Sequence, residues 1–282
     1  MVAKACHGRM NVRQMSGVGA VVVVLGCLAM FVCSAEAAIF TIADNNSTAT
    51  VDATSGRGMS DWDVEGSHHM EQQWFWYRIG SAGPEANIST LSLTASGVSD
   101  TNFDGANETL FLRYATANFK IELTFLISGG TPGSGTGDIA ESLKIINLGT
   151  QPLDFHFFQY CNLNLNGTVL DDSVAMNGNR AIQTDGPMTV SEMVETPSAT
   201  HREVGMFPMT LNSLNDALPT TLGDAVGPIG PGDLTWAFQW DFTLATGGAY
   251  LISKDKHVVP EPATLALLAL GGACLPLLRR RR

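Results

Sequence analysis

The feature that most restricts the fold is a two-residue alternation of apolar and polar side chains between residues 119 and 127. The apolar members of this pattern are Phe119, Ile121, Leu123, Phe125 and Ile127. A period of two places these side chains on one face of a β-strand, whereas an amphipathic helix needs apolar residues three and four positions apart. We therefore expect a half-buried strand here. A similar alternation over residues 88–98 predicts another strand.

Short β-prone runs separated by turn residues continue along the chain. Further strands are expected at residues 39–42, 48–51, 73–79, 110–114, 139–148, 153–160, 168–176, 180–184, 188–194, 201–207, 234–244 and 249–253. Only residues 212–219 favour a short helix. Many short strands about ten residues apart are typical of a β-sandwich or a jelly roll, so we expect an all-β fold of this class.

The domain organisation of this β-rich part has two interpretations. One domain is expected, and two small β-domains that meet near residues 129–137 are the alternative, because that stretch is rich in glycine. The aromatic runs at residues 74–77 and 236–240 are expected to share a core. No repeat period indicates a solenoid.

The N-terminal end has the three parts of a secretory signal peptide. Its basic residues are Lys4, Arg9 and Arg13. An uncharged, mostly apolar run follows from residue 18 to residue 33, and Ala35 and Ala37 then place small side chains where a signal peptidase reads them. Residues 1–37 are therefore interpreted as a signal peptide that is cleaved after Ala37, with an uncleaved anchor as the alternative.

A second uncharged segment, residues 263–278, is dominated by leucine and alanine. As a helix it would span roughly 24 Å, slightly less than the hydrocarbon core of a bilayer at about 30 Å, and flanking arginines that reach the interface compensate for the difference. The chain ends in four arginines, Arg279, Arg280, Arg281 and Arg282. A C-terminal transmembrane helix is expected, with these arginines as a cytoplasmic membrane stop.

Pro260, Glu261 and Pro262 stand directly before this segment, where two prolines favour an extended backbone. The motif, the apolar segment and the arginine cluster, in this order, resemble the PEP-CTERM sorting signal. In that family the tail is recognised by an exosortase, an integral-membrane, transpeptidase-like enzyme of Gram-negative bacteria. The resemblance implies export with the help of a signal peptidase, transient anchoring in the inner membrane, and release to the cell surface or extracellular matrix. It implies nothing about the activity of the remaining residues.

The chain is thus expected to comprise a signal peptide (1–37), a β-rich exported domain (38–257) and a PEP-CTERM sorting signal (258–282). Of 27 acidic and 16 basic residues in the whole chain, 25 acidic and 9 basic ones lie between residues 38 and 259, which gives this part a net charge of −16. Such acidity argues against nucleic acid and anionic membranes as partners, because both attract positive surfaces.

The exported domain contains a single cysteine, Cys161, so no intrachain disulfide can form within it. Its aromatic neighbours indicate a buried side chain that acts as a small hydrophobe rather than a reactive thiol.

One loop has the opening of a calcium-binding sequence, D-x-N-x-D-G. Its oxygen donors are Asp100, Asn102, Asp104 and Glu108. Alternating oxygen donors can wrap a hard cation, and Gly105 permits a sharp turn. However, the twelfth position is Phe111 instead of glutamate, and Glu108 comes three residues early. We prefer a polar turn between two strands and keep calcium as the one cofactor that the sequence suggests.

A second acidic stretch, residues 61–71, also contains histidines. Its possible calcium or zinc ligands are Asp61, Asp63, Glu65, His68, His69 and Glu71. Their spacing matches no closed metal motif, so a solvated loop is favoured. His156, on an apolar strand, is expected to be a core or edge histidine without a catalytic role.

No catalytic constellation stands out in the sequence. Carboxylate pairs such as Asp233 with Asp241, or Glu122 with Asp154, could act in hydrolysis, but their spacing does not select them, and there is no G-x-S-x-G motif. We therefore expect a non-enzymatic surface or matrix protein that is structural or associated with exopolysaccharide.

Two alternatives to this function remain. One is a carbohydrate-binding β-sandwich in which a tryptophan stacks on sugar rings. Its tryptophans would be Trp62, Trp74, Trp76, Trp236 or Trp240. The other alternative is a secreted hydrolase.

Overall fold

The structure is a computed structural model that describes residues 38–260. These residues form eighteen strands and one short α-helix. The strands are β1 (Ile39–Asp44), β2 (Ser47–Asp52), β3 (Gly58–Val64), β4 (Ser67–His68), β5 (Met70–Ile79), β6 (Ala86–Asn87), β7 (Ser92–Ser99), β8 (Thr109–Ala115), β9 (Phe119–Gly129), β10 (Gly137–Asn147), β11 (Leu153–Leu163), β12 (Asp172–Asn177), β13 (Arg180–Asp185), β14 (Met188–Thr196), β15 (His201–Met206), β16 (Ile229–Gly232), β17 (Leu234–Leu244) and β18 (Ala249–Pro260). The helix, α1, spans Met209–Asn215, and 3₁₀ turns occur at Ile88–Thr90 and Leu165–Gly167.

The strands form two nine-stranded sheets. Sheet A has the order β1-β2-β3-β5-β11-β17-β15, with β4 and β6 at its side, and sheet B has the order β16-β12-β13-β14-β18-β10-β9-β8-β7. Neighbouring strands are antiparallel except for β3 and β5. One apolar cluster draws its residues from both sheets. The predicted all-β sandwich is confirmed.

Both ends of the chain lie outside the described residues. The predicted signal peptide, which includes Ala35 and Ala37, therefore stays a prediction at the level of structure. The same holds for Glu261 and Pro262 of the sorting motif and for the predicted membrane segment with its stop, Arg279 to Arg282. Within residues 38–260, no helix has the length and apolar character needed to cross a membrane.

The predicted solvated loop at residues 61–71 is wrong, because the backbone there forms β3, β4 and the start of β5. Trp62 is fully buried, while its neighbours Asp61 and Asp63 remain partly exposed. The sequence Asp-Trp-Asp-Val is thus an alternating strand whose polar face carries two carboxylates.

Other differences concern element boundaries. The strand predicted at residues 88–98 begins later, at Ser92, because the Asn87 side chain accepts a hydrogen bond from the Ser89 amide (2.8 Å) and caps a 3₁₀ turn. The helix predicted at residues 212–219 begins and ends earlier, as Met209–Asn215. The last strand, predicted to end at residue 253, continues to Pro260.

The aromatic runs share one core, as predicted. Phe75 of β5 stacks on Phe157 of β11, with ring centroids 5.7 Å apart, and Phe157 contacts Trp240 of β17 at 6.3 Å. Cys161 is fully buried beneath them, and burial raises the pKa of its thiol. The predicted burial of Cys161 is confirmed, and its low reactivity stays a prediction.

Four charged side chains lie at the centre of the sandwich, and we call them the Lys–Glu quartet: Glu141, Glu192, Lys254 and Lys256. Each side chain is at most 1% exposed. The Lys254 Nζ lies 2.7 Å from Glu141 and 2.9 Å from Glu192, and the Lys256 Nζ lies 2.8 Å from Glu141 and 3.4 Å from Glu192. Each lysine is therefore shared by both glutamates.

Three side chains of sheet A donate hydrogen bonds to the quartet. Gln73 donates to Glu141 (2.8 Å), and Gln159 and the Trp236 indole donate to Glu192 (2.6 and 2.9 Å). Burial alone would raise the pKa of Glu192, but the two lysines outweigh it and lower the pKa to about 2. The glutamates thus remain ionised, and the quartet joins the two sheets by charged hydrogen bonds.

We expect Glu192→Gln to destabilise the fold by about 3–5 kcal/mol, because it leaves two buried lysines with one carboxylate. Glu122→Gln is a matched control, since Glu122 pairs with Arg113 and Lys120 at a partly exposed site, where such a pair contributes about 0–1 kcal/mol. Urea unfolding of the full chain in detergent, followed by tryptophan fluorescence, measures both losses. Equal losses of stability in the two variants would contradict the stabilising role of the Lys–Glu quartet.

Candidate functional site

The outer face of sheet A, which points away from sheet B, carries a concentration of polar side chains. Successive strand residues face opposite sides of a sheet. Gln73 contacts Glu141 in sheet B, so its neighbour Gln72 faces outward. Asn162, which is paired with Gln72, follows the buried Cys161 and also faces outward. Polar residues at these strand ends therefore lie on the face of sheet A that points away from the quartet.

A pocket of about 410 Å³ opens where β5 begins and β11 ends, and we call it the sheet A pocket. Its lining comes from the start of β5, the end of β11, the residue after β15, the residue before β17 and the segment before β3. The lining residues are Arg57, Glu71, Gln72, Asn162, Asn164, Phe207 and Asp233. The volume lies within the range usual for small-molecule sites, about 300–1,000 Å³.

Three oxygen atoms in the lining lack hydrogen-bond partners within the described part of the chain. They are Asn162 Oδ1, Asn164 Oδ1 and Asp233 Oδ1, each with almost no exposed surface. Both asparagines are only 5% exposed. Buried acceptors of this kind normally have a partner, because leaving one unsatisfied costs about 1–3 kcal/mol. The lining therefore groups two amides and a carboxylate that the protein itself leaves with unpaired oxygens.

The charges of the pocket come from two carboxylates and one arginine. Burial, assisted by the charge of Glu71, raises the pKa of Asp233. One Glu71 oxygen lies 3.9 Å from Arg57 and the other lies 3.3 Å from His68. Both Glu71 oxygens thus face basic side chains, while Asp233 Oδ1 is buried without a hydrogen-bond partner among the described residues.

The aromatic residue of the pocket is Phe207, which is 41% exposed. The five tryptophans that the sequence suggested as sugar-stacking residues are fully or almost fully buried, with 0–1% exposure, and cannot contact a ligand. They are Trp62, Trp74, Trp76, Trp236 and Trp240. That expectation is wrong because these large side chains are buried under other parts of the protein, and Phe207 offers a partly exposed ring instead.

A chain of histidines and aspartates lies elsewhere on the outer face. His156 Nδ1 is 2.6 Å from Asp241 Oδ1, and His201 lies 3.7 Å from the other oxygen of Asp241 and 2.8 Å from Asp224. These contacts link β11, β17 and β15. His156 Nε2 has no hydrogen-bond partner among the described residues, and the structural role expected for His156 stays a prediction. Asp241 is engaged here and does not line the sheet A pocket with Asp233.

The loop with the calcium-like sequence connects the paired strands β7 and β8. Its carboxylates accept hydrogen bonds from the loop itself: Asp100 accepts from Phe103 and Gly105, Asp104 accepts from Ala106, and Glu108 accepts from Thr101 and Asn102. Asn102 Oδ1 accepts from the Asp104 amide (3.1 Å). This is the geometry of a polar turn, and calcium binding there stays a prediction.

The acidic stretch that ends at Glu71 forms a cluster on β3 and β4. Ligand atoms of Asp61, Asp63 and His68 lie within 4.8 Å of one another. His68 Nδ1 is 2.6 Å from Asp61, and its other ring nitrogen faces Glu71. Both nitrogens are therefore engaged with carboxylates, and metal binding by this stretch also stays a prediction.

The sequence did not identify most of the sheet A pocket. Asp233 was named only as one member of a carboxylate pair, and Glu71 only as part of the acidic stretch. The local signal that points to the site is the pair Asn162 and Asn164 at the end of an aromatic strand, where a hydrophobic pattern gives way to amides. Phe207 and Arg57 have no comparable signal.

Residues 258–282 match the family described as the PEP-CTERM protein-sorting motif. This confirms the resemblance drawn from Pro260, Glu261 and Pro262, and the chain carries a PEP-CTERM sorting domain at these residues. Pro260 is also the last residue of β18, where it pairs with Met188. No curated protein matches the chain.

Several solved structures share the sandwich fold. A bacterial glucoamylase complexed with acarbose aligns with a TM-score of 0.53 and 9% identity, over 85% of this chain and 36% of that one. The Slr1438 protein from Synechocystis sp. PCC 6803 aligns with 0.52 and 10% identity, over 80% and 97%. Galactose 1-epimerase from Lactobacillus acidophilus NCFM aligns with 0.50 and 10% identity, over 79% and 95%. This chain spans about a third of the glucoamylase, and the likeness shows the fold alone.

The burial of the five tryptophans predicts weak quenching of intrinsic fluorescence by acrylamide in the folded protein. Phe207→Trp should add one strongly quenched tryptophan, because residue 207 is 41% exposed at the pocket. Trp62→Phe serves as a control that removes a buried tryptophan and leaves quenching weak. Strong quenching of the unaltered protein would contradict the described burial.

Proposed function

We propose that the protein is an exported, exosortase-sorted surface protein that binds carbohydrate in the sheet A pocket. The observation that carries this proposal is the set of three unsatisfied acceptors, Asn162 Oδ1, Asn164 Oδ1 and Asp233 Oδ1, in one pocket. A sugar ring presents several hydroxyl donors on a compact frame, which suits a lining that contains two amides and a carboxylate.

The other lining residues support the same ligand class. Phe207 offers a partly exposed ring, and the apolar face of a pyranose packs against such rings. Gln72 and Arg57 add donors for the sugar oxygens. The net charge of −16 on residues 38–259 favours a neutral or amino-sugar polymer over an anionic one.

The comparisons add a weaker argument. Two of the proteins with this fold are named for sugar chemistry, a glucoamylase complexed with acarbose and a galactose 1-epimerase. Their identity to this chain is 9–10%, so they support a carbohydrate ligand only together with the pocket. We propose exopolysaccharide of the cell surface or matrix as the ligand, because the sorting domain directs exported proteins there.

A second function, turnover of the bound sugar, is favoured by one observation. Asp233, whose pKa is raised by burial, shares the pocket with Glu71, and two carboxyl groups in one pocket are an arrangement that acid–base catalysis uses. We prefer binding because both Glu71 oxygens face the basic side chains of Arg57 and His68. Conversion of a bound oligosaccharide that stops in Asp233→Asn would favour the enzyme instead.

We expect Phe207→Ala to weaken polysaccharide binding about 3- to 10-fold, because a lost aromatic contact costs about 0.5–1.5 kcal/mol. Asn164→Ala should weaken it by a similar factor through the lost acceptor. The matched control is Phe103→Ala, which removes an 89%-exposed phenylalanine from the β7–β8 loop of sheet B. Affinity electrophoresis of the full chain in detergent against neutral, amino-sugar and anionic polysaccharides measures the changes. Loss of binding in the control, or no binding across the panel, would contradict the proposal.

The sorting part of the proposal predicts cleavage near Pro260–Pro262 only in cells that contain the exosortase. Because β18 includes Pro260, the released product should keep the whole sandwich. Mass spectrometry of the mature C-terminal end, with cell fractionation, compares the host with a strain that lacks the enzyme. An intact tail and a membrane-bound protein in both strains would instead indicate a permanent anchor.

A further inference from the structure

Three aspartates converge at one corner of sheet B, apart from the sheet A pocket. Asp172 begins β12 and Asp185 ends β13. The adjacent residues Ser173 and Thr184 are paired across the two strands, so the two carboxylates stand opposite each other. Asp171 precedes them, and carboxylate oxygens of the three residues lie within 4.8 Å of one another.

The negative charge of this cluster is not compensated by any neighbour in the described range 38–260, where no basic side chain forms an ion pair with the three aspartates. Like charges placed directly opposite on paired strands destabilise a sheet. A cation between these carboxylates would relieve that repulsion.

A second observation points to a ligand. Asp172 is fully buried, yet its Oδ1 has no hydrogen-bond partner among the described residues. Its Oδ2 accepts from Gln183 (2.6 Å) and from the Leu165 amide (3.5 Å). A fully buried carboxylate that keeps one oxygen unpaired inside a group of carboxylates is the arrangement expected where a cation binds.

We propose that Asp171, Asp172 and Asp185 bind one Ca²⁺ ion. Two oxygens that each lie about 2.4 Å from the same Ca²⁺ are at most about 4.8 Å apart, which the three carboxylates satisfy. The donor set contains only oxygen, as a hard cation requires. A smaller Mg²⁺ ion fits less well, because it requires near-ideal octahedral geometry at about 2.1 Å.

The ion would also stabilise the 3₁₀ turn at Leu165–Gly167. Asp185 Oδ2 accepts hydrogen bonds from Asn166 (2.7 Å) and Thr168 (3.1 Å), and the Leu165 amide donates to Asp172. These residues form the turn that follows Asn164, a lining residue of the sheet A pocket. Calcium bound to Asp172 and Asp185 thus holds the segment that positions Asn164. The calcium site itself does not depend on the proposed carbohydrate function.

The test is calorimetric titration of the calcium-free full chain in detergent with CaCl₂, with thermal unfolding followed in parallel. One binding event and a rise in the unfolding midpoint are expected, and MgCl₂ should produce a smaller rise. Asp171→Asn, which alters an exposed residue, should weaken calcium binding at least about tenfold, and Asp185→Asn should do the same.

Two control variants locate the site. Asp104→Asn in the β7–β8 loop and Asp63→Asn on β3 should leave calcium affinity unchanged. If no calcium-dependent heat or stabilisation is found, the proposal is overturned. It is equally overturned if a control variant abolishes binding while Asp171→Asn and Asp185→Asn retain it.

Discussion

The Lys–Glu quartet is the interaction on which the architecture depends. Two lysines on β18 and one glutamate each on β10 and β14 meet where an ordinary sandwich would bury aliphatic side chains. An isolated charge buried there would cost a large free energy. The four charged groups and their donors, Gln73, Gln159 and Trp236, therefore stabilise the core only together. This arrangement fixes the position of sheet B relative to β5, β11 and β17, the strands that carry the outer face.

The position of the sheet A pocket follows from that constraint. On β5 and β11, inward residues such as Gln73 and Gln159 contact the quartet, and the alternation of a strand then forces Gln72 and Asn162 outward at the same level. The same strands therefore stabilise the core and present the site. Separately, β18, the strand that carries the two lysines, ends at Pro260 and therefore overlaps the start of the sorting motif at residues 258–282.

Local pattern predicted much of the fold, because alternation is visible within a single strand such as β9. The burial of Lys254 and Lys256 was not predictable, since a lysine in an alternating strand indicates a solvent-exposed face until its partners are known. Glu141 and Glu192 become those partners only through long-range pairing. The pocket was missed for the same reason, because Asn162, Phe207 and Asp233 lie on three segments that only the sheet brings together. The prediction that the tryptophans stack on sugar rings failed because aromatic residues occur both in buried positions and in binding sites.

The most direct test of the central claim, that the sheet A pocket holds carbohydrate, is an NMR titration of the isotope-labelled protein with oligosaccharides from the polysaccharide panel. If carbohydrate binds in the pocket, we expect saturable shifts in the amide and side-chain signals of its lining residues, with signals of the β7–β8 loop unchanged. These residues are Gln72, Asn162, Asn164, Phe207 and Asp233. Shifts centred on another surface, or no saturable shift with any oligosaccharide, would contradict the claim.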